Sequence, residues 1–262
     1  MRFLFPADPL NPRQVDEYFK PQANALTTNE YYSLLSLERF KITGGVDRDM
    51  IDRGWMLSGE DYFKLADMVE REGGSLFTGY PQYTGTHYLP SWYPLVSEYT
   101  AETVIYKLKQ LNSPEFNLVE ELNKLGWNKF FLKDYVKSLK TGMGSIIDNA
   151  EDAPKVLALM EHYRGNIEGG LCVRKYEPGL HEEQRYFVVN KQAFSTTLRR
   201  PDLGLLNMVI RRIDSPFFSV DIAYNEEGTP RIVEIGDGQV SDLVGDWTPE
   251  LLKLAFTAVE GD

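Results

Sequence analysis

Apolar residues along the chain fall into short runs, some alternating with polar residues and some recurring every three to four positions, and the mixture predicts strands interleaved with helices. Arg2 to Phe5 is an apolar run closed by Pro6-Ala7-Asp8-Pro9, which predicts a first strand and a turn, and Gln14 to Phe19 reads as the start of a short helix. Over Ser58 to Glu70, Tyr62, Leu65, Ala66 and Val69 share one helical face; Ser58 caps it, Asp61 follows three residues on, and Gly73-Gly74 stops it. Strands at Trp55 to Leu57 and Ser75 to Thr78 complete a small α/β unit with parallel pairing over residues 1–95.

Tyr80 to Tyr99, dense in Tyr, Pro and Trp, reads as plain packing ahead of a rigid connection or a substrate-facing surface, and is assigned no chemistry. Helices are predicted over Thr100 to Gln110 and Pro114 to Lys124, after which closely spaced strands take over and set a second domain over 96–262. These strands fall at Lys129 to Lys133, Tyr135 to Lys137, Leu171 to Tyr176, Arg185 to Val189, Phe217 to Ala223 and Arg231 to Ile235, with a helix over Glu151 to Tyr163. A last helix presents Leu251, Leu254, Ala255, Ala258 and Val259 on one face.

Charge narrows the partners. With 28 basic against 39 acidic residues the chain carries a net charge of −11, so neither a nucleic-acid backbone nor an anionic membrane is an expected partner. Cys172 is the single cysteine, which rules out an internal disulfide, and with His87, His162 and His181 scattered it builds no zinc site. A reducing compartment, the cytoplasm, is the expected location, since the N-terminal apolar run meets Pro6 too early for a signal segment or a membrane span.

Three constellations carry candidate chemistry. Lys133, Lys137 and Lys140 precede a loop with Gly142 and Gly144, where backbone N–H groups can approach phosphate oxygens; the same pattern also suits a basic hairpin with solvated lysines. Arg174, Glu183 and Arg185 lie in or beside apolar runs at residues 171–179 and 182–189. A guanidinium there can grip phosphate or carboxylate and Glu183 can accept from a ribose hydroxyl, or the three can pair across a sheet. Asp221 and Glu234 interrupt two β-branched strands joined by a turn at Asn225 to Gly228. A carboxylate in such a strand needs a cation, either magnesium, with Asp237 as a further ligand, or an arginine such as Arg231 or Arg174.

Taken in order, lysines and glycine loop, then Tyr176-Glu177-Pro178-Gly179, then Glu-x-Arg, then Asp, then Glu, the chain resembles the ATP-grasp superfamily. It is most similar to the R2K clade, with a lesser likeness to the eukaryotic cell-division-cycle 123 proteins. The likeness runs over residues 125 to 260, and the leading unit is similar to a pre-ATP-grasp domain. It implies an α/β (α+β) fold in which two subdomains clasp ATP and Mg2+ behind a small α/β domain. It further implies Lys133 and Lys137 on the phosphates, Arg174 and Arg185 facing the transferred phosphoryl or acyl group, and a hinge from Val173 to Tyr176 whose backbone reads adenine. Glu183 would lie near the ribose, with Asp221 and Glu234 on the metal. Many members place asparagine two residues after the second metal carboxylate; here that residue is Gly236, with Asp237 as the substitute. The implied activity joins a small-molecule or peptide carboxylate to an amine through an acyl phosphate, releasing ADP, with a protein substrate as a further option. The alternative is an ATP-binding assembly factor or regulatory module with little or no ligase activity.

Overall fold

The structure, a computed structural model, describes residues 1–28, 31–138, 144–196 and 203–259. The N-terminal apolar run forms β1 (Phe3–Pro6), all four residues buried. The helix predicted at Gln14 begins later, as α1 (Lys20–Leu26), because Pro21 is tolerated only in a first turn and Val15 is held in a bridge to Ala7. With β2 (Tyr32–Ser36), β3 (Lys41–Thr43) and β4 (Ile51–Asp52) the first sheet has the order β3-β2-β1-β4, and β2 and β4 both run parallel to β1. Trp55 to Leu57 forms no strand: the Tyr83 hydroxyl bonds both the N–H and the carbonyl of Leu57, groups a ladder would need. Of Ser75 to Thr78 only Leu76 pairs, in a bridge to Met50.

The helix read from its apolar face and cap is present as α2 (Gly59–Arg71). Ser58 Oγ accepts from the Asp61 N–H at 3.1 Å, and Tyr62, Leu65 and Val69 are buried. The aromatic stretch that follows is helical, as α3 (Tyr80–His87) and α4 (Leu89–Val96), and buries Tyr83 and Trp92. Thr100 to Gln110 is mainly a strand, β5 (Thr103–Lys107), with one helical turn after it, α5 (Leu108–Leu111). Thr103, Val104 and Ile105 are β-branched, and a vacant strand edge awaits them. Then come α6 (Leu118–Lys124), β6 (Phe130–Asp134), β7 (Ile146–Ile147), α7 (Ala153–Arg164) and β8 (Gly170–Lys175). Tyr135 to Lys137 is a turn, closed by Asp134, which accepts from the Val136 N–H at 2.7 Å and donates its own N–H to the Lys137 carbonyl at 3.0 Å. The resulting sheet, β5-β8-β6-β7, is antiparallel throughout.

The remaining elements are β9 (His181–Val189), β10 (Gln192–Phe194), α8 (Leu203–Arg212), β11 (Phe217–Tyr224), β12 (Pro230–Asp237) and α9 (Pro249–Val259), with the third sheet ordered β10-β9-β11-β12. The expected hairpin is present: Gly228, at φ +77°, donates to the Asn225 carbonyl, and Asn225 N–H donates to Thr229. On α9 the buried face is Leu252, Ala255 and Phe256, not the one predicted; Leu254 is 63% exposed. Phe256 decides the rotation, its ring meeting Phe3, Phe77 and Phe217 edge-on.

Two compact units result. One comprises residues 1–87, 184–222 and 234–262, the other 88–183 and 223–233. The core of the first gathers Phe5, Phe187, Phe217, Trp247 and Phe256, with a second cluster around Met50, Tyr62 and Leu65. The core of the second packs Leu122, Phe130, Leu132, Val156, Met160 and Leu171. Among the described residues no helix is long and apolar enough to cross a membrane.

Candidate functional site

In the second unit β8 is a central strand, paired with β5 on one edge and β6 on the other. Its entry is set by Gly169 and Gly170. At φ +74° and +152° a Cβ there would lie 2.2 Å from the Tyr135 ring and from the Tyr106 carbonyl respectively, so only glycine fits this approach. At the far end a pocket of about 260 Å³ is lined by Phe131, Ile146, Arg174, Tyr176, Leu180 and Ile232. It joins aliphatic and aromatic walls to one strand terminus, the mixture that suits a flat heterocycle.

The predicted hinge from Val173 to Tyr176 lies at the end of this strand, where Lys175 and Tyr176 donate their N–H groups to the Glu102 and Lys129 carbonyls, at 2.8 and 3.1 Å, and the turn begins at Glu177.

Lys133 is buried on β6 and sits opposite Cys172 in the register. Burial pushes the Cys172 thiol up to about 12 against the pull of Lys133 and Arg174, so the single cysteine is inert. Arg174 is buried too, and its guanidinium donates to the Val233 carbonyl at 2.8 Å and the Thr100 hydroxyl at 2.6 Å. It pins the start of β12, where the sequence suggested a phosphate or acyl contact. Arg231 pairs with Glu177 at 2.5 Å and so is no partner of Asp221. Lys137 and Glu183 are exposed, Gly144 has φ +74°, and Gly142 lies outside the described residues.

In the first unit Arg185 and Asp221 form a two-pronged pair, Nε to Oδ1 at 2.8 Å and Nη2 to Oδ2 at 2.6 Å, both largely shielded from water. Burial works to lower the Arg185 pKa. Hydrogen bonding and charge from Asp221, reinforced by Glu234 and Asp242, outweigh it and raise the value. Arg185, Asp221 and Glu234 thus share one electrostatic site. Asp221 finds an arginine, as one reading allowed, but it is Arg185.

Asp237 belongs to a different set. It is 1% exposed and accepts from the Gln239 backbone N–H at 3.0 Å and side-chain Nε2 at 3.3 Å. Burial pushes its carboxyl up to about 8, with Asp52 adding repulsion. Asp52 is raised to about 7 by burial, opposed by Arg53, and its Oδ2 has no hydrogen-bond partner. Arg53, held near 10 by burial, donates to Gln22 Oε1 and to the carbonyls of Gly238, Gln239 and Ser241. Sequence reading missed Asp52-Arg53, although charges closing the apolar Met50-Ile51 run are the same cue that marked Asp221.

These two carboxyls make stability fall with pH. Both folded-state values lie above the ordinary carboxyl pKa of about 4, so between those limits the folded chain holds protons that the unfolded chain has released. The stabilisation is complete below about pH 4 and is lost as pH rises through about 7 and 8, with a slope of up to about 1.4 kcal/mol per pH unit for each proton. The urea midpoint is therefore expected to be lower at about pH 8 than at about pH 5. A flat profile would show that the pair is solvated.

The glycine at the asparagine position is closely surrounded: a Cβ at Gly236 would stand 3.1 Å from both Ser219 Oγ and Ser241 Oγ, which bond each other at 2.7 Å, while Ser241 also bonds the Asp237 carbonyl, so a side chain there would need these hydroxyls to shift by a few tenths of an ångström. Among the described residues no three His, Cys, Asp or Glu side chains converge. Asp221 and Glu234 still fit magnesium, which takes one or two carboxylates and completes its shell with phosphates and water.

The family model for the ATP-grasp domain, R2K clade family 3, matches residues 124–254. The RimK domain ATP-grasp protein from Sphaerobacter thermophilus superposes with a TM-score of 0.64 at 14% identity, covering 99% of this chain and 100% of that one. The D-alanine-D-alanine ligase from Coxiella burnetii gives 0.67 at 11% identity, covering 100% and 96%. The ligase PsnB, complexed with a minimal precursor, Mg and ADP, gives 0.56 at 11%, covering 98% and 96%. No curated protein matches the chain. With half of its residues matched by that family and the fold shared end to end, the chain belongs to the ATP-grasp domain proteins of R2K clade family 3.

Proposed function

We propose that the chain is an ADP-forming, Mg2+-dependent carboxylate–amine ligase working through an acyl phosphate, with small-molecule or peptide substrates and a cytoplasmic location. The observation that carries the reading is the Arg185–Asp221–Glu234 set. It pairs one fixed guanidinium with the Asp221 carboxylate and sets it in the field of Glu234, a charge pattern suited to phosphoryl transfer. PsnB binds Mg and ADP, and the D-alanine-D-alanine ligase joins an amine to a carboxylate, in keeping with this reading.

In the proposed division of labour the pocket walls Phe131, Ile146, Leu180 and Ile232 take the adenine, and the turn from Glu177 supplies the backbone contacts. Lys133 contributes a buried positive charge toward the phosphates. Arg174 acts by positioning, through the Val233 carbonyl. Arg185 supplies charge to the phosphoryl oxygens in flight, and Asp221 and Glu234 would hold Mg2+, with Asp237 as a further candidate ligand. When bound, that ion neutralises charge on the phosphates. The γ-phosphoryl passes to the substrate carboxylate as ADP leaves; the amine then attacks the acyl carbon, phosphate departs, and the nitrogen sheds its proton.

One observation favours the second reading, a nucleotide-binding assembly factor with little turnover: both Asp221 oxygens are already bonded to Arg185. A carboxylate offers about four lone-pair sites, so pairing with Arg185 does not by itself close the metal site. Calorimetric titration with ATP, with Mg2+ and then with a chelator, tests both readings. Saturable, Mg2+-dependent binding followed by ADP release with supplied acids and amines is expected. Binding without release would leave the assembly factor, and no binding at millimolar ATP would overturn both.

A further inference from the structure

In the first unit an aromatic pair stands exposed beside the Arg185 set. Tyr18 is 54% and Trp55 42% exposed, with ring centroids 5.0 Å apart and planes at 32°. Single exposed aromatics are ordinary, but these two are in tilted contact and held by neighbours. Phe19, buried, meets the Trp55 ring edge-on at 4.9 Å, and the Tyr18 hydroxyl donates to Asp242 Oδ1 at 3.3 Å. The Asp242 carbonyl accepts from Arg185 Nη1 at 3.0 Å, so the pair is linked to Asp221 through three hydrogen bonds, by way of Asp242 and Arg185. Arg53, two residues before Trp55, bonds the carbonyls of residues 238, 239 and 241, which ties the aromatic platform to the segment that carries Asp242.

The chemistry of this surface selects its ligand. Two π faces and an exposed carboxylate attract a cation and repel an anion. Charge in the neighbourhood points the same way: Arg185 stands against Asp221, Glu234 and Asp242. Of the two substrates a carboxylate–amine ligase must hold, the carboxylate is disfavoured here. The amine, an ammonium ion before it reacts, is favoured.

We propose that Tyr18, Trp55 and Asp242 form the subsite for the amine substrate, recognising a primary ammonium group carried on an apolar stem. The proposal rests on the ligase reading. The rings would cover the stem and the ammonium, and Asp242 would fix its charge beside the acyl centre served by Arg185.

Ligand-observed NMR saturation transfer tests it directly, with butylammonium chloride as probe and butan-1-ol and butyrate as controls, on the full chain and on Trp55→Ala and Asp242→Asn. Both side chains are exposed, so at least one variant should fold as wild type. The expected result is transfer to butylammonium alone, weakened roughly 3- to 30-fold in each variant, with Mg2+-ATP binding measured by calorimetry unchanged. Equal transfer to butan-1-ol would make the surface a merely apolar patch and overturn the proposal, as would preference for butyrate or variants that bind as wild type. Should wild type select butylammonium through these residues but bind no ATP, the ammonium site stands and the ligase reading is what fails.

Discussion

Glu234→Gln is expected to abolish magnesium-dependent ATP turnover while leaving the unfolding midpoint near that of wild type. Glutamine keeps the shape of the side chain and removes the charge that a hard cation requires. Glu234 is only half-buried on β12, and it acts on Arg185 through charge, so its loss costs little packing. The effect should fall on the metal step, roughly 100-fold or more in turnover, since metal-held charge on transferring phosphates is worth several kcal/mol. Asp221→Asn makes the contrast. It too removes a ligand, but it also strands the shielded Arg185 guanidinium without its charge partner, a change that typically costs about 3–5 kcal/mol. ADP release at graded Mg2+, set beside urea unfolding for both variants, separates the two roles. Undiminished ADP release by Glu234→Gln would remove Glu234 from the metal site.

Asp221 and Glu234 were legible in the sequence because a carboxylate inside a β-branched strand is costly wherever it lands, and the strands themselves announce their period. Their partner was not. Pairing across a sheet depends on strand order, and no periodicity distinguishes Arg185 from Arg174 or Arg231 as the neighbour of Asp221. The edge partner of β8 was not legible either: Thr100 to Gln110 carries apolar residues at spacings that fit a helix as well as a strand, and only the pairing with β8 shows that Thr103–Lys107 is β5. Gly236 shows the same limit from the other side. Sequence marks the departure from asparagine, but only the structure shows that Ser219 and Ser241 crowd the position.

The second large effect is predicted at Arg53, which touches none of the residues assigned to ATP. Arg53→Met should lower stability by about 3–5 kcal/mol, read as a shift in the urea midpoint at constant slope. At 2% exposure the guanidinium is the common donor for Gln22 Oε1 and for the carbonyls of Gly238, Gln239 and Ser241. Methionine fills much of the volume but donates nothing, so three main-chain carbonyls are left buried and unsatisfied. Asp52 loses the positive charge that opposes its burial, which moves its carboxyl further upward and steepens the loss of stability with pH. Arg53→Lys should recover only part of the loss, because one ammonium cannot reproduce a planar fork spread over acceptors in several directions. The carbonyls it serves follow β12 directly, between Glu234 and Asp242. In Arg53→Met, butylammonium recognition at Tyr18 and Trp55 should therefore weaken even under conditions where the chain remains folded. Stability lost without any change in that recognition would show that Arg53 braces the core alone and leaves the loop to hold itself.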